Sequence, residues 1–334
     1  MIKMKKTVSI LLVFAIMLAF AACGAKNEPE TTTEPTTAYQ PITMKVAGLA
    51  GPTGVGMVKL MSDKDAGTAK NDYQFTVVSD PKEIVAGMLN SSYDIAACPV
   101  NLAATLYNKL EGNLQVLAVN TKGVLYVLEN GNTINSFADL AGKKLYATGQ
   151  GSTPEYILNY LLEKNGIADK VTVEYVESHD ELASLAAAGK ATIAMLPEPK
   201  VTAAMTKNAD LRIALNLTEE FEKASGKTLI QGVIVAKKDF VTNNPDAVKM
   251  FLTEYKASID YTASNLEDTA TLCETYGIIP KAAMAKKAIP NCNIAYVDGA
   301  DMKTAVAANL QLFYDANPQS IGGKMPADDF YYGA

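Results

Sequence analysis

The feature that most constrains the fold of this chain is a repeated unit, in which a short apolar strand ends at a glycine-rich turn and a helix follows. One copy turns at Gly51 and another turns at Gly149, 98 residues later. The strands that begin near Ile95 and Ile193 are separated by the same offset. Two units that repeat at one spacing predict two similar α/β lobes, each with turns at the carboxyl ends of its strands.

These glycine-rich turns have the chemistry of ligand-facing corners. Glycine permits positive φ angles and a close approach of the backbone to a ligand, and the positive end of the following helix favours oxygen-rich or anionic groups. A plain strand-to-helix connection is the alternative for either turn taken alone. Because the unit recurs, we expect a pocket between the lobes that is lined by four turns.

Strands and helices alternate through both halves of the chain, which predicts βαβ crossovers and mainly parallel sheets. The expected strands are residues 42–47, 75–78, 95–98 and 114–119 in the first half, and residues 144–147, 171–176, 192–195 and 211–214 in the second. Asp80 is the expected N-cap of one helix, with Pro81 at its first position. Apolar stripes at helical spacing predict that the remainder, after residue 236, is helical.

The chain is expected to pass between the lobes twice. Residues 120–123 separate two apolar runs and mark the first crossing, and the apolar strand at residues 231–236 marks the return. The expected fold class is therefore α/β, with two βα lobes whose mainly parallel central sheets are joined by a two-strand hinge. Residues 41–121 and 235–334 form the predicted first lobe, and residues 122–234 form the second.

The N-terminus predicts export and membrane anchoring. Lysines precede an apolar run at residues 8–20 that is too short to span a bilayer, as in a signal peptide. Small residues then lead to Cys23 in a pattern like the bacterial lipobox, whose cysteine is lipidated; an ordinary secretory signal with a chance cysteine is the alternative. Residues 1–23 are thus the expected lipoprotein signal peptide, and residues 24–40, rich in Thr, Glu and Pro, a disordered tether. Lipidation would hold the protein at the extracytoplasmic face of the cell membrane.

Composition excludes several classes of function. The net charge of −6 without a basic stripe, and Arg212 as the only arginine, argue against nucleic-acid binding. One histidine, His179, and four cysteines do not supply a metal site built from several imidazoles or thiolates. A Ser or Cys nucleophile normally needs a base, and Ser178 and Glu181 beside His179 match a helix capping box instead. We therefore expect no metal, no cofactor and no catalytic residues.

The cysteines after the signal peptide have structural interpretations. Cys273 and Cys292 could pair as a disulfide in an exported protein, which the sequence leaves open because their distance is unknown. Cys98 ends the predicted strand 95–98, at a predicted ligand-facing turn, and is interpreted as small apolar filler.

Taken together, these features resemble a known family. A lipobox, a tether, two α/β lobes with a double crossing and a helical C-terminal segment look like a type II solute-binding lipoprotein of an ABC importer, in the branch that serves nitrate, sulfonate, taurine and thiamine-pyrimidine uptake. The resemblance covers residues 41–334. Its marks are Gly51-Pro52-Thr53-Gly54, Asp94-Ile95-Ala96-Ala97, Gly149-Gln150-Gly151-Ser152-Thr153 and Met195-Leu196-Pro197-Glu198-Pro199.

The resemblance implies lobes that hinge shut over one small molecule, and a closed form that docks on the ABC permease subunits. The ligand then has to contact both lobes, since only differential affinity for the closed state drives closure. The expected protein is a monomer that meets the membrane through its lipid anchor. The candidate ligand-binding residues are Gly51, Thr53, Gly54 and Asn101 in the first lobe, and Gly151, Ser152, Thr153 and Glu198 in the second.

The charges near the candidate residues of the second lobe favour a neutral or cation-bearing organic ligand. Glu155 and Glu198 lie beside its turns, and burying a strong anion next to two carboxylates is costly unless lysines offset the charge. Glu155 is alternatively the capping-box partner of Ser152. A heteroaromatic vitamin precursor fits this charge, and a sulfonate or a similar molecule stays open. The candidate stacking faces are Tyr93, Tyr107 and Tyr156.

Two other functions on the same scaffold stay open. An exported enzyme would need an acid or a base among Glu155, Glu198 and His179. A ligand-sensing receptor would report to a membrane partner, because fold alone does not fix function.

Overall fold

The structure is a computed structural model that describes residues 39–334. The expected signal peptide, Cys23 and the tether up to residue 38 lie outside the described residues. Within the described part of the chain, no helix has both the length and the apolar character that a membrane span requires.

Residues 39–334 contain eleven strands and thirteen α-helices. The strands β1 to β11 are, in order, Thr43–Leu49, Asp72–Val78, Ile95–Pro99, Gln115–Lys122, Leu125–Asn130, Lys144–Ala147, Thr172–Tyr175, Ile193–Pro197, Leu211–Asn216, Ile230–Ala236 and Ile294–Val297. The helices α1 to α13 are Pro52–Val55, Val58–Asp65, Pro81–Leu89, Val100–Lys109, Thr153–Lys164, His179–Ala187, Lys200–Lys207, Leu217–Ser225, Lys238–Asn243, Pro245–Ser264, Leu266–Thr275, Ala282–Ala288 and Gly299–Ala316.

The first sheet has the strand order β11-β4-β10-β3-β1-β2. β1 pairs in parallel with β2 and β3, as helical crossovers between strands of one sheet require. β10 lies antiparallel between β3 and β4, and β11 pairs antiparallel with β4. Four strands therefore run in one direction and two oppose it, so the sheet is mixed with a parallel majority.

The second sheet has the strand order β7-β6-β8-β5-β9 and repeats the plan of the first. β6 pairs in parallel with β7 and β8, and β5 lies antiparallel between β8 and β9. β6 to β9 thus take the places of β1 to β4, and β5 takes the place of β10. The α/β fold class and the internal repetition predicted from the sequence are confirmed.

The chain passes between the two sheets twice. β4 ends at Lys122 in the first sheet, and β5 begins at Leu125 in the second. β9 ends at Asn216, α8 follows, and β10 begins at Ile230 back in the first sheet. The predicted lobe boundary after residue 234 therefore falls inside β10, and strand membership puts the return ahead of Ile230.

Helix starts follow the signals in the sequence. Asp80 Oδ1 accepts a hydrogen bond from Lys82 N at 2.8 Å, and Pro81 occupies the first turn, as predicted. Ser178 Oγ accepts from Glu181 N at 3.2 Å, so the predicted capping role of Ser178 is confirmed. These caps fix where α3 and α6 begin, on equivalent connections of the two sheets.

Apolar packing covers the sheets with helices on both faces. One continuous cluster of buried side chains joins the first sheet to α3, α4 and α13, and continues through α5 and α8 onto one face of the second sheet. A smaller cluster formed with α6 and α7 covers the other face of the second sheet. α13 therefore packs within the cluster that the two sheets share.

The prediction that the chain is helical after residue 236 is right for α9 to α13 and wrong for β11. This strand is four residues long and pairs with β4 at Ile294↔Thr121 and Val297↔Val119. A four-residue strand is too short to carry a clear alternation of apolar and polar residues, so its pattern cannot be distinguished from that of the flanking helices.

Candidate functional site

The first corner, residues 51–54, connects β1 to α1. Gly51 has φ 99°, a conformation that glycine adopts without strain, and its N–H donates to the carbonyl of Ile278 at 2.8 Å. Pro52 has no N–H and occupies the first turn of α1. One of the corner's backbone donors is therefore already bonded to the connection that follows α11.

Thr53 and Gly54 are buried behind this corner. A Cβ on Gly54 would lie 2.5 Å from the carbonyl oxygen of Leu49 and 2.8 Å from Cδ1 of Ile278, so no larger residue fits there. The carbonyl of Thr53 accepts a hydrogen bond from Asn120 Nδ2 at 2.9 Å. Thr53 is 5 % exposed.

Asn101 lies in the first turn of α4, directly after β3. Its side chain is half-buried, and its Nδ2 donates to the carbonyl of Ser320 at 3.3 Å. Ser320 belongs to the short 3-10 turn Pro318–Ile321 that follows α13. Since β1 and β3 are adjacent in the sheet, Asn101 and the first corner lie at the ends of neighbouring strands.

The second corner, residues 149–153, connects β6 to α5. Gly149 and Gly151 have φ 77° and 73°, so both need the conformational freedom of glycine. The predicted capping box of Ser152 and Glu155 is wrong in detail. Glu155 Oε2 accepts from Gly151 N at 2.6 Å, one residue ahead of the cap, and Ser152 Oγ donates back to the carbonyl of Gly149 at 2.6 Å.

The carboxylate of Glu155 thus occupies the place at the start of α5 that an anion would take. Tyr175 hydrogen-bonds to the same side chain, and burial together with this carboxylate raises the pKa of Tyr175. The hydroxyl of Tyr175 stays protonated at neutral pH and can donate to Glu155. Gly151, Ser152 and Thr153 remain exposed or half-exposed beside it.

One C-terminal segment, residues 317–320, contacts both sets of candidate ligand-binding residues, directly at Asn101 and through Tyr156 at Gly151. Tyr156 Oη donates to the carbonyl of Gly151 at 2.9 Å and accepts from Asn317 Nδ2 at 3.1 Å. The same segment accepts the hydrogen bond from Asn101 described above. The first turn of α4 and the second corner are therefore linked through it.

Glu198 follows β8 and is 2 % exposed, with a cis peptide bond to Pro199. Its Oε2 accepts from Thr202 N at 3.1 Å, and its Oε1 accepts from Thr202 Oγ1 at 3.0 Å and from Asn291 Nδ2 at 3.1 Å. Burial raises the pKa of Glu198, while the bonds from Thr202 and Asn291 oppose that rise. Three donors from the protein itself already engage this carboxylate.

His179 lies at the first position of α6, behind the second corner. Its Nδ1 is 2.5 Å from Oγ1 of the buried Thr148, at the carboxyl end of β6. Burial lowers the pKa of His179, and the nearby Lys200 lowers it further, so the imidazole is neutral at pH 7. Lys200 is itself paired with Asp180.

The remaining candidates have structural contacts. Arg212 in β9 pairs with Glu129 at 2.6 Å. Tyr107 is buried and donates to Asp329 Oδ1 at 2.6 Å, so its ring is not an open stacking face, and Tyr156 is also buried. Tyr93 packs against Gly87, where a Cβ would collide with the ring.

The three described cysteines are free thiols. Cys98, Cys273 and Cys292 are all buried, and the disulfide considered between Cys273 and Cys292 is not formed. Burial raises the pKa of Cys98 and of Cys273 to about 12. In residues 39–334, no group of three or more His, Cys, Asp or Glu side chains is placed to hold a metal ion.

Three asparagines that sequence reasoning did not single out contact the candidate residues. Asn120 bonds to Thr53, Asn291 bonds to Glu198, and Asn317 bonds to the tyrosine that bonds Gly151. Their partners are 67, 93 and 161 residues away along the chain. Local sequence patterns carry no signal at such separations, so these contacts required the structure.

Comparison with known proteins bears on the fold and on the family resemblance. The chain matches the family model NMT1/THI5 like over residues 109–268. No curated protein sequence matches it.

Solved structures share the fold over most of the chain. A protein described as an ABC transporter, from Parabacteroides distasonis, is 25% identical with a TM-score of 0.74, covering 86% of this chain and 98% of that one. The periplasmic aliphatic sulphonate binding protein SsuA from Escherichia coli is 14% identical with a TM-score of 0.69, covering 88% and 92%. The alkanesulfonate-binding protein SsuA from Xanthomonas axonopodis pv. citri, bound to MOPS, is 16% identical with a TM-score of 0.61, covering 87% and 99%.

The fold is the periplasmic binding protein fold that these structures share. The resemblance to the nitrate, sulfonate, taurine and thiamine-pyrimidine branch of solute-binding proteins, predicted from the sequence, is confirmed.

Proposed function

We propose that this chain is the extracytoplasmic substrate-binding lipoprotein of an ABC importer, which captures a small organic nutrient between two lobes and delivers it to a membrane permease. The observation that carries the proposal is the pair of sheets with equivalent strand order, joined by two crossings. Two equivalent lobes on two connecting segments can rotate toward each other about those segments, which is the geometry of hinge closure around a ligand.

The ligand binds where the strand ends of the two lobes meet. The first corner with Asn101 supplies one side, and the second corner with Glu198 supplies the other. A ligand that touched one side only would have no differential affinity for the closed form, so both sides are needed. The backbone N–H of Thr53, the exposed Ser152 and the half-exposed Thr153 provide the polar contacts, because the N–H groups of Gly51 and Gly54 already donate within the protein.

The charge of the site favours a neutral or positively charged organic ligand over a strong anion. Glu155 occupies the positive end of α5, and Glu198 adds a second carboxylate at the neighbouring strand end. Lys200, the cation nearest to Glu198 in sequence, is paired with Asp180, and Arg212, the only arginine, is paired with Glu129. A heteroaromatic amine, such as a vitamin precursor, has the complementary charge, whereas a sulfonate has to be desolvated against like charge.

Membrane attachment completes the proposal. Lipidation of Cys23 would anchor the chain at the extracytoplasmic face, and the tether of residues 24–40 would let the two-lobed body reach the permease. The lobes predicted from the sequence are residues 41–121 with 235–334, and residues 122–234. Because β10 begins at Ile230 and belongs to the first sheet, we move the second boundary to precede residue 230.

A thermal-shift screen of the purified chain tests the proposal. The panel contains heteroaromatic amines, aliphatic sulfonates including MOPS, nitrate and amino-acid derivatives. A ligand at 100 times its Kd stabilises the folded state by about 2.7 kcal/mol, which raises Tm by roughly 4 °C for a chain of this size. We expect the largest shift from a neutral or cationic heteroaromatic compound.

Mass spectrometry separates this function from catalysis. The bound compound, or a compound that copurifies, should be recovered unchanged after prolonged incubation. Conversion of the ligand to a product, or the absence of any shift across the panel, would contradict the proposed function.

A further inference from the structure

The side chain of Asn120 forms three hydrogen bonds near the end of β4. It is 1 % exposed. Its Nδ2 donates to the carbonyl of Thr53 at 2.9 Å and to Oη of Tyr255 at 3.1 Å, and its Oδ1 accepts from Thr121 Oγ1 at 3.1 Å. Both amide hydrogens are used, so the orientation of the amide is fixed by its donors.

Asn120 connects three parts of the fold. Thr53 lies in α1 just past Gly51, Tyr255 lies in α10, and Asn120 stands three residues ahead of Gly123, where the chain has left β4 for the second sheet. The first corner, helix α10 and strand β4, which leads into the first crossing, therefore share one buried amide.

The return strand β10 packs against the same amide. A Cβ on Gly232 would lie 2.6 Å from Asn120 Oδ1 and 2.9 Å from Cγ2 of Thr53. The pairing of β10 with β4 also shifts register on either side of Gly232. Both crossing strands and the first corner thus meet at a point that has no room for one additional methyl group.

The hydrogen bond from Asn120 supplies what α1 lacks on its own. α1 has four residues and no side-chain cap, and the N–H groups of Gly56 and Met57 both donate to the carbonyl of Gly54. The position of the Thr53 carbonyl therefore depends on the amide of Asn120. The first corner is therefore bonded to β4 directly, through the buried hydrogen bond between Asn120 Nδ2 and the Thr53 carbonyl.

We propose that Asn120 is a positioning residue that couples the first corner to the two crossing strands and thereby restricts the angle between the two sheets. Under the proposed function, on which this second step rests, the coupling transmits ligand contact at the corner to closure of the lobes. A crossing strand and a corner that share one buried hydrogen bond give the physical link that such coupling requires.

The experiment measures the distance between the lobes in the full-length, ligand-free protein. Spin labels are attached to a ketone-bearing amino acid, so that no cysteine is needed. This amino acid replaces the exposed Lys82, in α3 beside the first sheet, and the exposed Lys170, just before β7 of the second sheet. Pulsed electron spin resonance then gives the distribution of label distances for the wild type and for each variant.

We expect Asn120→Ala to widen the distance distribution about twofold or more. Tyr255→Phe is the matched control, because it removes another buried hydrogen bond of the same amide but leaves the bond to Thr53. It should lower Tm while keeping the wild-type width. Should Asn120→Ala not fold, Asn120→Ser serves instead, since its short hydroxyl cannot reach the Thr53 carbonyl.

An unchanged width in the Asn120 variant would overturn the assignment, as would equal widening in Tyr255→Phe, which would indicate a general loss of packing. A ligand screen without any binding would contradict the proposed function alone, because the width in the ligand-free protein decides the role of Asn120 independently.

Discussion

Glu129 in β5 illustrates, at the scale of single residues, how this fold accommodates a buried charge. Its side chain is 3 % exposed and accepts from Thr133 N at 2.7 Å, from Thr133 Oγ1 at 2.6 Å and from Ile134 N at 3.2 Å. Arg212 Nη2 donates to it at 2.6 Å. Burial alone would raise the pKa of Glu129, but the hydrogen bonds from Thr133, Ile134 and Arg212 outweigh burial and lower that pKa.

We predict that Glu129→Gln lowers the free energy of unfolding by about 2 to 4 kcal/mol at pH 7, because Arg212 loses its charged partner. The folded pKa lies below the unfolded value, so this stabilisation is complete above about pH 4.5 and is lost as pH falls through the folded pKa. Urea denaturation at several pH values should therefore show the gap to the wild type shrinking in acid.

The control for this prediction is Glu174→Gln, which breaks an exposed ion pair with Lys144. An exposed pair contributes about 0 to 1 kcal/mol, so this variant should resemble the wild type at every pH. Equal losses in the two variants, or a gap at Glu129 that does not depend on pH, would refute the prediction.

Glu155 is the residue that most affects which ligand charge the proposed site accepts. Two like charges 4 Å apart repel by roughly 1 to 4 kcal/mol between the dielectric of water and that of a protein surface. We predict that Glu155→Gln improves the affinity for an aliphatic sulfonate about tenfold or more, measured by calorimetry. The reason is that the glutamine removes the like charge at the start of α5, so the positive end of this helix is no longer neutralised by a carboxylate.

Glu163→Gln makes the same change in net charge on the exposed part of the same helix. It should leave sulfonate affinity within about twofold of the wild type, because a distant exposed charge is screened by salt. A similar gain in both variants would assign the effect to overall charge and not to the second corner.

At the scale of elements, the two crossings hold each other in place. Gly123, between β4 and β5, donates from its N–H to the carbonyl of Leu229 at 2.8 Å. Its own carbonyl accepts from Asn293 Nδ2 at 2.6 Å. A Cβ on Gly123 would press on Thr218 Oγ1 and lie 2.6 Å from Leu229 Cδ2. The outgoing and returning segments therefore pack with no spare volume.

We predict that Gly123→Ala destabilises the protein by about 1 to 3 kcal/mol, since the added methyl has to displace the return segment. Gly48→Ala is the matched control, because a Cβ there meets Met57 Sδ at 3.5 Å, an ordinary contact. Denaturation midpoints in urea provide the comparison. A loss in Gly48→Ala as large as that in Gly123→Ala would contradict the packing argument.

The strands that sequence patterns located well are those buried on both faces. Ile95–Pro99 and Ile193–Pro197 are almost wholly apolar and sit at the centres of their sheets, so a short apolar run bounded by turn residues was a sufficient signal. β11 was missed because it is short and half-buried along its length. Its position depends on pairing with β4 and not on its own pattern.

The candidate site was less predictable than the fold. Glycine-rich corners were visible because glycine marks positive φ locally, as at Gly51 and Gly151. The partners of each corner were not visible. Whether Glu198 is free for a ligand depends on Asn291, and the bond that fixes Thr53 comes from Asn120. Long-range hydrogen bonds of this kind have no periodic signature.

At the scale of the whole molecule, closure should be measurable in solution. We predict that the compound giving the largest thermal shift also lowers the radius of gyration in small-angle X-ray scattering, because both lobes contact it only when the cleft is shut. An inactive compound from the same panel is the control. A bound ligand that leaves the radius of gyration unchanged would contradict the hinge mechanism.

The place of β10 between β3 and β4 also determines the order in which the halves can be completed. A polypeptide synthesised from its N-terminus contains every strand of its second sheet once Asn216 has been made, but its first sheet still lacks β10, residues 230–236, and β11. Until then β3 and β4 present unpaired edges, which are templates for aggregation. The half that is synthesised first is the half that is finished last, so a chain that stops before Ile230 leaves its first sheet incomplete.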